Sequence, residues 1–134
     1  MNDESEGALH HIELWVPDLK RATREWGWLL TTLGYTPYQT WPDGISWAKG
    51  STYIVLEESP DLSGRHHQRT APGLNHLAFV VASRLRVDGL VQDSTEHGWT
   101  SLFPERYPYA GGSEHYAAYL ENSDGFEIEL VAAR

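Results

Sequence analysis

The amino-acid sequence predicts an α+β fold in which two modules, each with the order strand, helix, strand, strand, strand, pair within one domain. The length of 134 residues suits one domain with a real core, or two small modules that share one. Apolar and polar residues alternate in short segments that are typical of strands. The pattern of the first half returns after about 65 residues, which indicates paired modules rather than a solenoid.

The first module is predicted over residues 8–58, after an acidic lead-in at residues 1–7 that we expect to be disordered. Asp18 is a suitable N-cap for a helix and Gly34 a suitable C-cap. The Asp43-Gly44 dipeptide favours a turn between two strands. In chain order the predicted elements are a strand at 9–16, a helix at 18–33, a strand, turn and strand at 35–47, and a strand at 51–57.

The second module is predicted over residues 74–134, and it follows a linker at residues 59–73 that contains two prolines and two glycines. Ser83 can cap a helix that Gly98 closes. The predicted elements are a strand at 75–81, a helix at 83–97, and strands at 99–103, 115–120 and 126–131. Each module therefore has one helix to cover one face of its sheet, and the other face must be buried by the twin module or by a ligand.

Composition narrows the possible partners. The net charge of −9 argues against nucleic acid, because its phosphates would be repelled. No apolar run approaches the roughly 20 residues that cross a bilayer, and the N-terminus lacks the features of a signal peptide, so we expect a cytoplasmic protein without a membrane partner. The absence of cysteine restricts metal ligands to His, carboxylate or water. Six tryptophans and seven tyrosines suit a pocket for a small organic molecule.

Each half offers one histidine early and one glutamate late, and all four lie in predicted strands: His11 and Glu57, then His76 and Glu129. Side chains on one face of several strands can converge on one point. Two imidazoles and two carboxylates suit one divalent ion of the Zn, Ni, Co, Fe or Mn type. Glu57 is preferred to its neighbour Glu58, which falls where the linker begins.

Four further residues are candidates for lining a substrate pocket. By strand alternation, Glu13 and Trp15 share a face with His11. His115 and Tyr119 share a face of a later strand, where they could donate to a bound oxygen or act as acid and base.

Three motifs resemble those of the vicinal-oxygen-chelate superfamily, which includes glyoxalases, bleomycin-resistance proteins and extradiol dioxygenases. They are His11-x-x-Leu-x-Val-x-Asp-Leu, Gly73-Leu-Asn-His76-Leu-Ala-Phe-Val and Asp124-Gly-Phe-Glu-Ile-Glu129-Leu. The resemblance covers residues 9–131. It implies paired βαβββ modules that form a cup-shaped, barrel-like mixed sheet around a metal, with helices outside. It also implies a homodimer, with the modules paired within a chain or swapped between chains.

The resemblance further implies a function. The two-His, two-Glu set is similar to that of glyoxalase I-type enzymes, which are metal-dependent lyases or isomerases that act through a metal-bound enediolate. By that likeness Glu129 or Glu57 is the catalytic base. Ring-cleaving dioxygenases of the extradiol type, which use two His and one Glu, are one alternative. The other is a non-catalytic protein that sequesters a cationic antibiotic of the bleomycin type, which the charge of −9 and the aromatic content also fit.

Overall fold

A computed structural model describes residues 3–134 of the protein. The chain divides into two compact units, one that ends at Ser63 and one from Gly64 to Arg134. The boundary falls inside the stretch predicted as a linker. Of the predicted lead-in, Met1 and Asn2 lie outside the described residues, and residues 4–7 form turns. No helix within residues 3–134 is long and apolar enough to span a membrane.

The first unit has the predicted order of elements. They are β1 (His11–Trp15), α1 (Leu19–Thr32), β2 (Thr36–Trp41), β3 (Gly44–Lys49) and β4 (Thr52–Glu57). The sheet order is β1-β4-β3-β2, with β1 parallel to β4 and the other pairs antiparallel. The parallel pair follows from the helix between β1 and the hairpins, because a parallel connection needs a long crossover.

Local signals set the limits of α1 as predicted. The Asp18 carboxylate accepts a hydrogen bond of 2.9 Å from the backbone N–H of Arg21, and Gly34 takes the left-handed conformation after the helix, with φ +94°. Glu58 also accepts from the first helical N–H, that of Leu19, at 2.7 Å. The apolar stripe of the helix packs against β3 and β4, and its buried members are Ala22, Trp26, Leu29 and Leu30.

The second unit repeats this order. Its elements are β5 (His76–Val81), α2 (Arg84–Ser94), β6 (Trp99–Leu102), β7 (Ala117–Asn122) and β8 (Glu127–Ala132), with 3-10 turns at Thr95–His97 and Pro104–Arg106. The sheet order is β5-β8-β7-β6, and β5 is parallel to β8. Ser83 caps α2, as predicted, by accepting from Arg86 N at 3.1 Å. The predicted α+β class with two βαβββ modules is confirmed.

The third strand of the second unit lies two residues later than predicted. It begins at Ala117, whose N–H donates to the carbonyl of Pro108 at 3.0 Å, so the preceding residues belong to a turn. It continues to Asn122, whose side-chain oxygen accepts from the N–H groups of Asp124 at 3.2 Å and Phe126 at 2.9 Å. Asn122 is thus both the last residue of the strand and the first residue of an Asx-type turn.

Candidate functional site

Strand register shows which positions of the two sheets correspond. In the second sheet, Glu129 lies two residues beyond the β8 partner of His76. In the first sheet, the β4 partner of His11 is Tyr53, and the residue two positions beyond it is Val55. The first sheet therefore has a valine at the position where the second has its buried glutamate.

Glu57 does not come close to His11. It lies opposite Trp15, four residues further along β4 than the partner of His11, which is about 13 Å along the strand. Its carboxylate instead accepts a hydrogen bond of 3.1 Å from the indole of Trp41. That indole lies across Gly44, where a Cβ would stand 2.3 Å from it. The structure therefore does not bring together the histidine and glutamate predicted for the first half.

The other predicted residues of the first half lie on the exposed face of the sheet. The indole of Trp15 donates to the Glu13 carboxylate at 2.7 Å. The ring of His11 stacks on Tyr53, with centroids 4.9 Å apart, and its Nδ1 is 2.9 Å from Nδ1 of His10. Glu13 and Trp15 share the face of His11, as alternation predicts; that they line a substrate pocket stays a prediction.

In the second half, the structure brings together both predicted metal ligands and both predicted pocket residues. His76 Nε2 is 3.0 Å from one carboxylate oxygen of Glu129, and His115 Nε2 hydrogen-bonds to the other oxygen. The hydroxyl of Tyr119 is also hydrogen-bonded to this carboxylate. Glu129 is only 5% exposed. We call these four residues the Glu129 cluster.

The backbone explains why the members of the Glu129 cluster meet. Glu129 lies on a central strand, between β5 with His76 and β7 with Tyr119, which is its direct partner across the antiparallel pair. His115 precedes β7 in a turn. A Cβ on Gly111 would stand 2.6 Å from the hydroxyl oxygen of Tyr119 and 2.7 Å from the ring of His115. The missing side chain at this glycine leaves room for both groups to reach the carboxylate.

Asn75 fixes the tautomer of His76. The Asn75 side-chain nitrogen donates to the Arg69 carbonyl at 3.0 Å, so its oxygen is the atom that faces His76 Nδ1 at 2.7 Å. Nδ1 must then carry a proton. A lone pair on Nε2 would be repelled by the carboxylate of Glu129, 3.0 Å away. A proton shared between Nε2 and the carboxyl group, or a metal ion, would account for this contact.

Neighbouring charges leave this face of the second sheet acidic. Arg69 contacts Glu121 at 3.2 Å and the buried Glu127 at 3.3 Å. Burial raises the pKa of Glu127 above its ordinary value, and the guanidinium of Arg69 opposes that rise. Burial and the charge of Glu129 raise the pKa of Tyr119 to about 12, so its hydroxyl stays protonated and can donate at neutral pH.

The donor atoms of the Glu129 cluster fit a divalent ion in chemistry. Imidazole nitrogen and carboxylate oxygen are ligands for Zn, Ni, Co, Fe and Mn, and Asn75 holds His76 in the tautomer that presents Nε2. Within residues 3–134, no group of three or more His, Asp or Glu side chains is spaced so as to hold an ion. Here Glu129 hydrogen-bonds directly to both imidazoles, and an ion would have to replace those contacts.

The sequence interpretation missed the residues that orient the Glu129 cluster. Asn75 stands next to His76 in the sequence. A side-chain amide beside a candidate histidine ligand could have indicated a residue that orients the imidazole through its other nitrogen. Gly111 lies in a Gly-Gly pair of the loop, and only the contacts show what its missing side chain accommodates.

Comparison with known proteins agrees with this fold. The profile of the Glyoxalase/Bleomycin resistance protein/Dioxygenase superfamily matches residues 10–119. The protein YqjT of Bacillus subtilis (strain 168), described as uncharacterized, is 46% identical over 126 residues, which is 92% of this chain and 98% of YqjT. A crystal structure of a glyoxalase candidate from Bacillus halodurans is 42% identical, with a TM-score of 0.92, and the match covers 98% of this chain and 99% of that one. A glyoxalase/bleomycin resistance protein from Albidiferax ferrireducens T118 shares the fold at 21% identity, with a TM-score of 0.75 over 94% of this chain and 98% of that one.

Proposed function

Because the chain belongs to the Glyoxalase/Bleomycin resistance protein/Dioxygenase superfamily, we propose that it is a metal-dependent small-molecule enzyme of the glyoxalase type, a lyase or isomerase that moves a proton on its substrate. The observation that carries the proposal is the Glu129 carboxylate, which is 5% exposed and has an imidazole at each oxygen. The likeness to the Bacillus halodurans glyoxalase candidate supports the same reaction class.

In this proposal Glu129 is the group that accepts and returns the proton. A buried carboxylate within reach of the substrate suits that role because little water competes for the proton. Tyr119, which stays protonated, can donate a hydrogen bond to a substrate oxygen on which negative charge develops. The imidazoles of His76 and His115 hold the carboxylate from both sides and so limit its rotation.

We propose that His76, Glu129 and His115 would hold one divalent ion of the Zn, Ni, Co, Fe or Mn type after their side chains move apart from the direct hydrogen bonds that they make here, since as described they are not spaced to hold an ion. A bound ion would supply positive charge that polarises a substrate oxygen. His115 takes the place given to Glu57 in the sequence-based set, because Glu57 lies about 13 Å along the strand from the position opposite His11. A contribution from His11 stays a prediction.

Metal binding by paired variants tests the ligand set. Protein stripped with a chelator is titrated with Mn²⁺, Ni²⁺ and Zn²⁺ in a calorimeter. Glu129→Gln should weaken binding at least tenfold, because it removes the buried negative charge that faces the ion. Glu57→Gln is the matched control, since it makes the same change at a carboxylate that contacts the Trp41 indole instead of imidazoles, and it should alter binding less than twofold. Equal losses in both variants would contradict the proposed set.

Proton transfer is measured separately. Hydroxyacetone, the simplest α-hydroxy ketone, is incubated in D₂O with the metal-loaded protein, and exchange of its carbon-bound protons is followed by NMR. The wild type should accelerate exchange and Glu129→Gln should not. A metal-loaded wild type that leaves the exchange rate at the level of free metal would refute the glyoxalase-type reaction.

A second candidate function is an extradiol-type dioxygenase, and one observation favours it. Without Glu57, the donor set has two histidines and a single carboxylate, which is the set typical of non-haem Fe(II) oxygenases. This reading predicts oxygen uptake with catechol that depends on Fe²⁺ and is not supported by Zn²⁺. If neither exchange nor oxygen uptake occurs, the remaining proposal is a binding protein for a cationic ligand, which the net charge of −9 favours.

A further inference from the structure

The segment that precedes β7 carries one member of the Glu129 cluster. We call residues 107–116 the His115 loop, because His115 lies in it and hydrogen-bonds to Glu129. The base of the loop is closed by one backbone hydrogen bond, in which the N–H of Ala117 donates to the carbonyl of Pro108 at 3.0 Å. Gly111 lies inside the loop and leaves room for the ring of His115. The position of the loop therefore decides whether this imidazole reaches the carboxylate.

One carboxylate oxygen of α2 holds both ends of the His115 loop. The hydroxyls of Tyr107 and Tyr116, the first and last residues of the loop, both donate to the same oxygen of Asp88, the second at 2.6 Å. These two hydrogen bonds lower the pKa of Asp88, so its carboxylate is charged at neutral pH. Hydrogen bonds to a charged acceptor are stronger than neutral ones.

The helix that carries Asp88 is a firm support. Val87 and Leu90, on either side of Asp88 in the sequence, are fully buried, and the helix packs against the sheet of the second unit. Asp88 itself lies on the exposed face of the helix. Its two hydrogen bonds thus add little to the core, and their main effect is to fix the His115 loop to α2.

The last two residues of the loop make their contacts on opposite sides of the sheet. His115 bonds to Glu129 on one side, and Tyr116 bonds to Asp88 of α2 on the other. Between these contacts, the carbonyl of Tyr116 accepts from the N–H of Ala132 in β8 at 3.0 Å. The guanidinium of Arg84, also in α2, lies over the ring of Tyr116 at 5.0 Å. The backbone next to the imidazole is therefore held from the helix side.

We propose that Asp88 is a positioning residue that, through Tyr107 and Tyr116, holds His115 against Glu129. The consequence for metal binding rests on the proposed function, whereas the positioning of the imidazole does not. The His115 side chain is 41% exposed, so water competes for its Nε2 once the loop is released. A supporting residue on another element keeps such a side chain in its bonded geometry.

The reactivity of His115 in the metal-free full chain tests the positioning. Diethyl pyrocarbonate acylates imidazole, mainly at the less hindered Nε2, and a hydrogen bond at that atom slows the reaction. Trypsin then releases residues 107–134, in which His115 is the single histidine, and residues 87–106, in which the exposed His97 is the single histidine and serves as reference. Asp88→Ala should raise the rate at His115 relative to His97 about fivefold, the factor that corresponds to one net hydrogen bond. An unchanged ratio would overturn the proposal.

Further variants separate this effect from a general loosening of the helix. Asp93→Ala removes another exposed carboxylate of α2 and should change the ratio less than twofold. Asp88→Asn keeps an oxygen acceptor and should restore most of the protection. The Tyr107→Phe, Tyr116→Phe double variant should match Asp88→Ala, and adding Asp88→Ala to it should raise the rate no further, because the same bonds are already gone. An equal rise in Asp93→Ala, or a further rise in the triple variant, would contradict the proposal.

Titration of the stripped full chain with Mn²⁺ links the positioning to the proposed function. Asp88→Ala should weaken Mn²⁺ binding about tenfold, as loss of a supporting group does, while Asp93→Ala should leave it within twofold of the wild type. If His115 becomes more reactive in Asp88→Ala but Mn²⁺ affinity is unchanged, the ligand role of His115 fails and its positioning by Asp88 stands. If the reactivity of His115 does not rise, the positioning fails whatever the titration gives.

Discussion

Arg69 is expected to stabilise the second unit by compensating the buried charge of Glu127. The Glu127 side chain is 3% exposed, and its closest cation is Arg69 Nη1 at 3.3 Å. Removing one partner of a buried ion pair costs about 3–5 kcal/mol, because the other charge stays buried without compensation. The Arg69 side chain is 26% exposed, so solvent screens part of the interaction. We therefore expect Arg69→Met to lower the free energy of unfolding by about 2–3 kcal/mol at pH 7.

The pH dependence of this loss follows from the direction of the Glu127 pKa. Burial raises this pKa in the folded state, and removal of the opposing guanidinium raises it further. A carboxyl whose folded pKa is raised binds its proton more tightly when folded, so its cost to stability appears as pH rises through that pKa. Below the pKa of the unfolded chain both states are protonated and the cost is absent. The loss caused by Arg69→Met should thus be largest at neutral pH and shrink on acidification.

Urea denaturation at pH 7 and at pH 5 measures both effects. Arg106→Met is the matched control, because Arg106 is 57% exposed and its partner Glu105 is 3.8 Å away; its loss should stay below about 0.5 kcal/mol. The Arg69→Met, Glu127→Gln double variant should recover most of the stability, since no buried charge remains. A loss from Arg69→Met that matches the control, or that is the same at both pH values, would refute this account.

Further predictions concern the packing of the site, both helices and assembly. Gly111→Ala puts a Cβ 2.6 Å from the Tyr119 hydroxyl oxygen, and it should weaken Mn²⁺ binding about tenfold, as loss of a supporting group does, with an unchanged circular dichroism spectrum. Gly89→Ala in α2 meets nothing within 4 Å, and it should raise the free energy of unfolding by about 0.5–1 kcal/mol. Glu58→Gln weakens the 2.7 Å contact to the N–H of Leu19 and should cost about 0.5–1 kcal/mol in urea denaturation. Light scattering at high micromolar concentration should report a homodimer, and a monomer there would contradict the assembly that the family resemblance implies.

Features governed by local chemistry could be predicted from the sequence. Asp18 and Ser83 cap the two helices as expected, because a short polar side chain before a periodic segment satisfies free N–H groups. Gly34 and Gly98 follow the helices with φ +94° and +87°. Since each of these signals acts within a few residues, the order of elements in both units followed from them.

Strand register is the feature that local signals could not supply. The sequence interpretation paired Glu57 with Glu129 as the late carboxylates of the two halves, whereas the β-ladders place Val55 at the position of Glu129, because Tyr53 and Glu127 are the partners of His11 and His76. Glu57 therefore lies two residues beyond the position that corresponds to Glu129, on the same face of β4. The start of β7 was misplaced for a related reason, because the turn before it depends on a contact with Pro108.

The buried hydrophobic residues of β4 and β8 give a better alignment of the two modules. Ile54 and Leu56 are fully or nearly buried, as are Ile128 and Leu130. Because each pair faces the helix of its own unit, aligning the pairs with each other places Val55 against Glu129. Buried hydrophobic positions are thus a safer basis for aligning two modules than charged residues that merely have the same amino-acid type.

The two sheets differ in what their carboxylates touch, and that difference decides where proton transfer can occur. Glu13 and Glu57 accept hydrogen bonds from indole N–H groups, which never give up their proton at neutral pH. Glu129 faces two imidazoles, the side chain that most often transfers protons in enzymes. A carboxylate between such partners can pass a proton on, whereas one held by indole can only accept a hydrogen bond. In the proposed enzyme, the acid–base chemistry therefore falls to the second sheet.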